Sequence, residues 1–92
     1  MSLKALSRGV QELRVHLCQS SKGSSGVRDF IAGHYLELKK ANPTLPILVR
    51  EGSGVKASVT ARFPFGKEKT VAVEGLDAKQ VGEAIEKLAQ SA

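Results

Sequence analysis

The sequence has one cysteine, no tryptophan and only four aromatic residues in 92. Because Cys18 has no second cysteine to pair with, no disulfide framework can form within the chain, which argues against a secreted mini-protein. The longest apolar run, Leu45 to Val49, is broken by Pro46, whereas a helix that spans a bilayer needs about 20 apolar residues. The sequence therefore predicts a protein with no transmembrane span.

Length and composition indicate one ordinary globular domain. The chain is 41% hydrophobic and 25% charged, which argues against disorder along its whole length, and it is too short for two functional domains. Fourteen Lys and Arg against nine Asp and Glu give a formal charge of +5 at pH 7. Such a balance favours an anionic partner or an acidic docking surface, although a solvated basic surface is the alternative.

The N-terminus differs in composition from the rest of the chain. Residues 1–11 contain no acid, and the basic residues Lys4 and Arg8 interrupt their apolar residues, as in a mitochondrial targeting segment and unlike a secretory signal. A polar arm that frays from the domain has the same composition. We therefore divide the chain into an N-terminal basic arm at 1–10, with targeting as one interpretation, and a single domain at 11–92.

Hydrophobic periodicity predicts four strands and two helices. Alternation predicts strands covered on one face at 12–17 and 58–63, whereas continuous Ile47-Leu48-Val49 predicts a strand covered on both faces. Pro64 and Gly66 indicate a turn, and residues 69–73 are predicted to form the strand that pairs back across it. Helical spacing runs from Val27 to Leu38 and stops at Asn42-Pro43. A capping box at Asp77 and Gln80 begins the second helix. The order β-α-β-β-β-α predicts an α/β fold of thioredoxin-like type, a four-stranded mixed sheet with two helices.

A thioredoxin-like order directs attention to Cys18, which ends the first predicted strand, where that fold places its nucleophile. Ser21 stands where a dithiol motif has its second cysteine, and disulfide exchange needs a resolving thiol. The helical pattern begins only near Ser25, so no helix N-terminus is expected to lower the pKa of the thiol. We predict a structural thiol of uncertain role. The alternative is a monothiol redox protein that uses Cys18.

Other catalytic and binding sites do not assemble from the sequence. His16 and His34 have no Cys or carboxylate at metal-ligand spacing, and the glycines match neither a dinucleotide fingerprint nor a phosphate loop. We predict no catalytic residue, no cofactor and no metal site.

Four arginines are the candidate partner contacts. Arg14, Arg50 and Arg62 lie in predicted strands, and Arg28 lies in the first turn of a helix, where the helix dipole disfavours a cation. Because arginine forms planar bidentate pairs with carboxylates, we expect each to pair with a carboxylate of this chain or of a neighbour. Exposed strand arginines with no energetic role are the alternative.

The aromatic residues argue against nucleic-acid binding. Recognition of single-stranded RNA normally adds exposed aromatic side chains that stack on bases. Phe30, Tyr35 and Phe63 fit core positions, which leaves Phe65 as the one free candidate. We therefore predict no nucleic-acid partner.

Several sequence blocks carry a family resemblance. The chain resembles the thioredoxin-like accessory subunits of mitochondrial complex I, a family whose domain also occurs in mitochondrial ribosomal proteins. The matching blocks are Ser7-Arg8-Gly9-Val10, Leu17-Cys18-Gln19, Gly26 to Ile31, Leu38 to Pro43, Leu45 to Glu51, and Ala61-Arg62-Phe63 with Gly66 and Glu68.

The resemblance implies a non-catalytic subunit on the matrix side of the mitochondrial inner membrane. It also implies docking on the large iron–sulphur subunit of the peripheral arm and support of its assembly or stability. A mitochondrial ribosomal protein of the same domain family is the alternative, but the chain ends in neutral Ala89-Gln90-Ser91-Ala92 and not in a basic tail.

Three positions depart from the family pattern. Family members commonly carry a second cysteine that can form a disulfide with the first, and this chain has Gly52 there. The family's proline and tryptophan in the next strand are replaced by Ala57 and Thr60. We therefore expect no disulfide and no redox role that depends on a cysteine pair.

Overall fold

The computed structural model describes residues 9–90, which contain four strands and two α-helices. The α/β class, with its four-stranded mixed sheet and two helices, is confirmed. The arm predicted at 1–10 lies outside the described residues, apart from Gly9 and Val10. In chain order the elements are β1 (Glu12–Leu17), α1 (Ser25–Ala41), β2 (Ile47–Glu51), β3 (Ser58–Arg62), β4 (Glu68–Ala72) and α2 (Ala78–Ala89). A short 3₁₀ turn at Lys22–Ser24 precedes α1, and a short turn at Pro64–Gly66 connects β3 to β4.

The sheet has the strand order β2-β1-β3-β4. β1 pairs in parallel with β2, because α1 returns the chain to the same end of the sheet before β2 begins. β1 and β3 are antiparallel, and β3 and β4 form an antiparallel hairpin. β1 is therefore a central strand, whereas β2 and β4 form the two edges.

Both helices cover one face of the sheet. Leu13, Val15 and Leu17 alternate with half-buried residues along β1 and point into the core, as the alternation predicted. They belong to one hydrophobic cluster with residues of both helices, including Phe30 and Ile85. The protein is therefore a two-layer sandwich whose second sheet face carries no helix within residues 9–90.

No helix among residues 9–90 is long and apolar enough to cross a membrane.

The prediction that β2 is covered on both faces is wrong. Ile47 is buried and Leu48 is half-buried, but Val49 and the two residues after it are exposed. β2 has a strand neighbour on one side only, and the helices cover only one of its faces. A continuous apolar run does not distinguish a central strand from an edge strand, because that distinction depends on the neighbours.

The capping box predicted for α2 is confirmed. The Asp77 carboxylate accepts a hydrogen bond from the Gln80 amide at 2.8 Å, and the Gln80 side chain accepts one from the Asp77 amide at 3.1 Å. These two bonds satisfy amides that a helix N-terminus leaves unpaired, and they fix where α2 begins.

One glycine sets the approach of α1 to the segment before α2. A Cβ atom at Gly26 would overlap the carbonyl oxygen of Leu76, so only glycine allows this helix to lie so close. Gly33, in the same helix, has open space around its Cβ position. The same substitution at these two glycines of α1 therefore compares a crowded position with an open one.

Replacement of Gly26 should destabilise the fold, and replacement of Gly33 should not. We expect Gly26→Ala to lower the free energy of unfolding by about 1–3 kcal/mol, because a backbone atom has to move. Gly33→Ala should raise it by about 0.5–1 kcal/mol, because alanine favours the helix. Urea unfolding followed by circular dichroism measures both changes, and equal effects at the two positions would contradict this packing.

Candidate functional site

The sheet face opposite the helices, here called the open face, brings three of the four candidate arginines together. Strand register places Arg62 opposite Glu12 and Glu68, and it places Arg50 opposite His16. The open face consists of Glu12, Arg14, His16, Leu48, Arg50, Ser58, Thr60, Arg62, Glu68, Thr70 and Ala72.

An ion-pair network lies at one end of the open face. Arg14 Nη2 lies 3.0 Å from Glu68 Oε2 and 3.3 Å from Glu12 Oε2, and Arg62 Nη1 lies 3.8 Å from the same Glu12 oxygen. The hydrogen bond to Glu12 and the negative charges of Glu12 and Glu68 raise the pKa of Arg14. Arg14 and Arg62 therefore pair with carboxylates of their own chain. The sequence predicted a carboxylate of this chain or of a neighbour as the partner.

Arg50 differs from the other two arginines of the open face. Its side chain is exposed, and it makes no hydrogen bond or ion pair with any residue in the 9–90 range. Because its guanidinium can still donate to a carboxylate, Arg50 is the arginine of this face that remains available to another molecule.

The part of the open face formed by β3 and β4 carries mostly small side chains. Ser58, Thr60, Thr70 and Ala72 are all small, and the hydroxyls of Thr60 and Thr70 are hydrogen-bonded at 2.8 Å. Thr60, predicted on the exposed side of its strand, is buried between its neighbours. This surface suits contact with a flat protein surface better than capture of a small molecule.

An apolar depression of about 280 Å³ lies on the helix side, between α2 and the β4 edge. Val71, Ala84, Lys87 and Leu88 line it. Lys87 is the only charged residue among these four, and ligand pockets normally combine apolar walls with several convergent polar groups. The depression has no arrangement suited to acid–base or nucleophilic chemistry.

Cys18 forms a second distinctive region, at the end of β1. It is a free cysteine and is 4% exposed. Its backbone amide donates to Ser24 Oγ at 3.0 Å, and its sulphur lies 3.8 Å from Ser20 Oγ. The loop before α1 therefore folds back over the thiol.

The sequence did not predict the electrostatics of this thiol. Hydrogen bonds from the backbone amides of Ser20, Gly54 and Ser21 lower the pKa of Cys18 to about 6, and burial opposes them. The N-terminus of α1 was the only donor group considered from the sequence, whereas the donors belong to two loops on either side of the sulphur. The density of Gly and Ser in both loops was the available signal, because small residues allow backbones to approach closely.

Arg28 holds the same loop. Its Nη1 atom donates to the carbonyl oxygens of Cys18 at 2.9 Å and Ser21 at 2.8 Å. Arg28 therefore pairs with two carbonyl oxygens and not with the predicted carboxylate. These two bonds offset the unfavourable effect of the helix dipole on a cation in the first turn of α1. Arg28 lies apart from the open face.

Residue 52 lies beside Cys18 across the parallel strand pair. The Gly52 amide donates to the Leu17 carbonyl at 3.0 Å. The family resemblance implies a second cysteine at this position, where this chain has a glycine, which supplies no sulphur. A lowered pKa alone does not make an exchange catalyst, because a mixed disulfide at Cys18 has no internal thiol to resolve it.

The histidines do not form a metal site with their neighbours. His34 Nδ1 lies 3.8 Å from Glu37, and its ring packs 5.6 Å from the Phe30 ring, centroid to centroid. Within residues 9–90, no group of three or more His, Cys, Asp or Glu side chains is placed to hold a metal ion.

The pH titration of Cys18 tests its amide contacts. We expect thiolate absorbance at 240 nm to rise with a midpoint near pH 6, and the Cys18→Ser variant to show no such step. Folding lowers the pKa of this thiol, so the thiolate form adds to the free energy of unfolding. This contribution is fully present at pH values above the pKa of the unfolded thiol, and it is lost as the pH falls through about 6. A midpoint above pH 8 would contradict these contacts.

Loss of the Arg28 contacts should loosen the loop. We expect Arg28→Met to lower the free energy of unfolding by about 1–3 kcal/mol, because two hydrogen bonds from a charged group are lost. It should also raise the pKa of Cys18, because Ser20 and Ser21 are no longer held over the sulphur. Arg50→Met is the matched control and should change neither the urea midpoint nor the thiol titration.

Comparison with known proteins gives two concordant findings. Residues 27–78 match the model of the mitochondrial ribosomal protein L51 / S25 / CI-B8 domain. The matched segment runs from the first turn of α1, through β2, β3 and β4, to the first residue of α2. It includes three of the candidate arginines, Arg28, Arg50 and Arg62.

Curated relatives extend the similarity over nearly the whole chain. A Mus musculus protein named NADH dehydrogenase [ubiquinone] 1 alpha subcomplex subunit 2 is 56% identical over 78 residues, which are 85% of this chain and 79% of that protein. An Arabidopsis thaliana protein of the same name is 44% identical over 95% of this chain and 90% of its own length. The Neurospora crassa NADH-ubiquinone oxidoreductase 10.5 kDa subunit is 40% identical over 95% of this chain and 93% of its own length.

Proposed function

The chain belongs to the mitochondrial ribosomal protein L51 / S25 / CI-B8 domain family, and on this premise we propose that it is a non-catalytic accessory subunit of mitochondrial NADH:ubiquinone oxidoreductase, complex I. The observation that carries the proposal is 56% identity over 85% of the chain to a protein named as a subunit of that enzyme. A plant and a fungal relative carry subunit names of the same enzyme. These names favour the respiratory enzyme over the ribosome, the other assembly in which the domain occurs.

The chemistry of the chain supports a structural role in that assembly. Cys18 is the only thiol, and the family's second cysteine position holds Gly52. Cys18 has a low pKa but no second thiol to resolve a mixed disulfide. The histidines and carboxylates within residues 9–90 form no group of three or more that could hold a metal ion. The chain therefore contributes its shape and its surface, and electron transfer belongs to other subunits.

We further propose a thioredoxin-like topology and a single domain over 11–92, with 1–10 as a basic arm. The order of β1, α1 and β2 followed by β3, β4 and α2 supports this assignment. The proposal places the subunit in the mitochondrion, on the matrix side of the inner membrane. Its partners there are other complex I subunits, with the large iron–sulphur subunit of the peripheral arm as the docking site.

The open face is the proposed docking surface. It carries Arg14, Arg50 and Arg62, and it is the sheet face that α1 and α2 leave uncovered. Arg14 and Arg62 share Glu12, and Arg14 also pairs with Glu68, so their role in docking is to present a fixed mixed-charge surface. Arg50 is the direct contact for a partner carboxylate. Arg28 supports the Cys18 loop from inside.

Assembly in cells that lack the chain tests this function. We expect deletion to reduce the assembled peripheral arm on a blue-native gel, and a tagged wild-type chain to restore the arm and migrate with it. Normal assembly and normal NADH oxidation without the chain would contradict the function, and migration with the mitochondrial ribosome would favour the ribosomal alternative.

A charge reversal tests the docking surface. Arg50→Glu should reduce the restored peripheral arm, because like charges that face each other across an interface are strongly unfavourable. Lys79→Glu reverses an exposed charge on α2, away from the open face, and should restore the arm as wild type does. Equal restoration by both variants would exclude Arg50 as a contact.

A further inference from the structure

The turn between β3 and β4 presents an unusual aromatic residue. Phe65 is 99% exposed, and its φ angle is +65°. Positive φ is a conformation that residues with a Cβ adopt at a cost and that glycine adopts readily. Phe65 is the only non-glycine residue with positive φ among residues 9–90. A bulky apolar side chain therefore occupies a glycine-like position and is in contact with water.

The turn that holds Phe65 is closed at its base. The Phe63 amide donates to the Lys67 carbonyl at 2.6 Å, and Phe63 itself is buried in the core. Pro64 precedes Phe65, and Gly66 follows it with a φ angle of +75°. The backbone on both sides of Phe65 is thus fixed, so its Cα–Cβ bond points away from the sheet in a defined direction and the ring lies in solvent.

Neither the core nor the turn explains the choice of phenylalanine. An exposed Phe side chain contributes no apolar burial to folding, and its backbone conformation opposes folding. Leu36, the next most exposed large apolar residue at 74%, lies in regular helix and has no such strain. Strained, exposed positions of this kind occur at functional sites, where the side chain is needed in a set direction.

The charges around Phe65 indicate what its partner presents. Within four positions of Phe65, Arg62, Lys67 and Lys69 are positive and only Glu68 is negative. Glu68 is paired with Arg14 at 3.0 Å, and Arg62 lies 3.8 Å from Glu12, so these two pairs balance and the region keeps an excess of positive charge. An apolar ring beside an excess of positive charge is complementary to an apolar pocket with carboxylates at its rim.

We propose that Phe65 is an interface anchor that inserts into an apolar pocket, rimmed by carboxylates, on a protein partner. The proposal rests on the proposed function for the identity of that assembly and adds the residue that fixes the chain to it. Phe65 follows Arg62 and precedes Glu68, so the anchor projects from the end of the open face that carries the ion-pair network.

RNA and membrane are less suited to this site. Stacking on single-stranded bases normally uses several aromatic side chains in a row, whereas Phe30 and Phe63 are buried and Phe65 projects alone. Stable attachment to a bilayer takes a larger apolar area than one ring. Aromatic residues, Phe among them, and Arg are, in contrast, enriched at protein–protein interfaces.

The dissociation rate of the chain from its assembly is the direct test. Tagged wild-type and variant chains are incorporated into NADH:ubiquinone oxidoreductase in cells that lack the native chain, and the purified complexes are chased with excess untagged chain. We expect Phe65→Ala to dissociate at least about tenfold faster, because truncation of an anchor residue typically costs that much or more in affinity. Leu36→Ala is the matched control and should dissociate within about twofold of wild type.

A second variant separates binding from folding. Phe65→Gly removes the ring and suits the positive φ angle, so its thermal unfolding midpoint should be no lower than that of wild type. Its dissociation should nevertheless be as fast as that of Phe65→Ala. Faster dissociation accompanied by a lowered midpoint in both variants would show a defect of folding and would overturn the proposal.

Photo-crosslinking identifies what the ring touches. Phe65 is replaced by p-benzoylphenylalanine in the full chain, and Leu36 is replaced in the control. Light should produce an adduct with a protein subunit of the enzyme from position 65 and none from position 36. A nuclease-sensitive adduct or a lipid adduct in place of the protein adduct would overturn the proposal.

The outcomes distinguish this inference from the proposed function. If the tagged wild-type chain never enters the enzyme, the proposed function fails and Phe65 has no such partner. If it enters and Phe65→Ala dissociates at the wild-type rate, the function stands and the anchor alone is refuted.

Discussion

The burial of one sheet face beneath both helices is the constraint from which the rest of the molecule follows. Leu13, Val15 and Leu17 of the central strand lie at the middle of this core, with Phe30 and Ile85 packed from the helix side. A chain of this length forms only one such core. The opposite face is therefore free of helices within residues 9–90, and its polar side chains are available for contact with other molecules.

The same constraint explains the environment of Cys18. The C-terminal end of β1 is where the loop before α1 and the loop after β2 meet, so backbone amides from both surround the sulphur. Arg28 fixes this arrangement through the Cys18 and Ser21 carbonyls. The result is a stabilised thiolate with no second sulphur at residue 52. The chain thus stabilises the thiolate form of Cys18 but has no second thiol for disulfide exchange.

Local sequence signals predicted the fold well, and non-local relations explain the rest. Alternation in β1 and the capping box at Asp77 and Gln80 depend on residues a few positions apart, and both were predicted correctly. The edge position of β2, with Val49 exposed, depends on which strands pair. The carbonyl partners of Arg28 and the amides around Cys18 depend on how two loops fold. The sequence identified Phe65 as a free aromatic, but its positive φ angle follows from closure of the β3–β4 turn.

The strands of the open face have a small planar footprint. Four strands about 4.8 Å apart, each about five residues long at about 3.3 Å per residue, cover roughly 300 Å². A stable protein interface buries about 800 Å² on each partner. The docking contact that we propose extends beyond the strands onto the β3–β4 turn, which continues the end of the face where Arg62 and Glu68 lie. There the exposed ring of Phe65 offers apolar area that the hydroxyls of Thr60 and Thr70 lack.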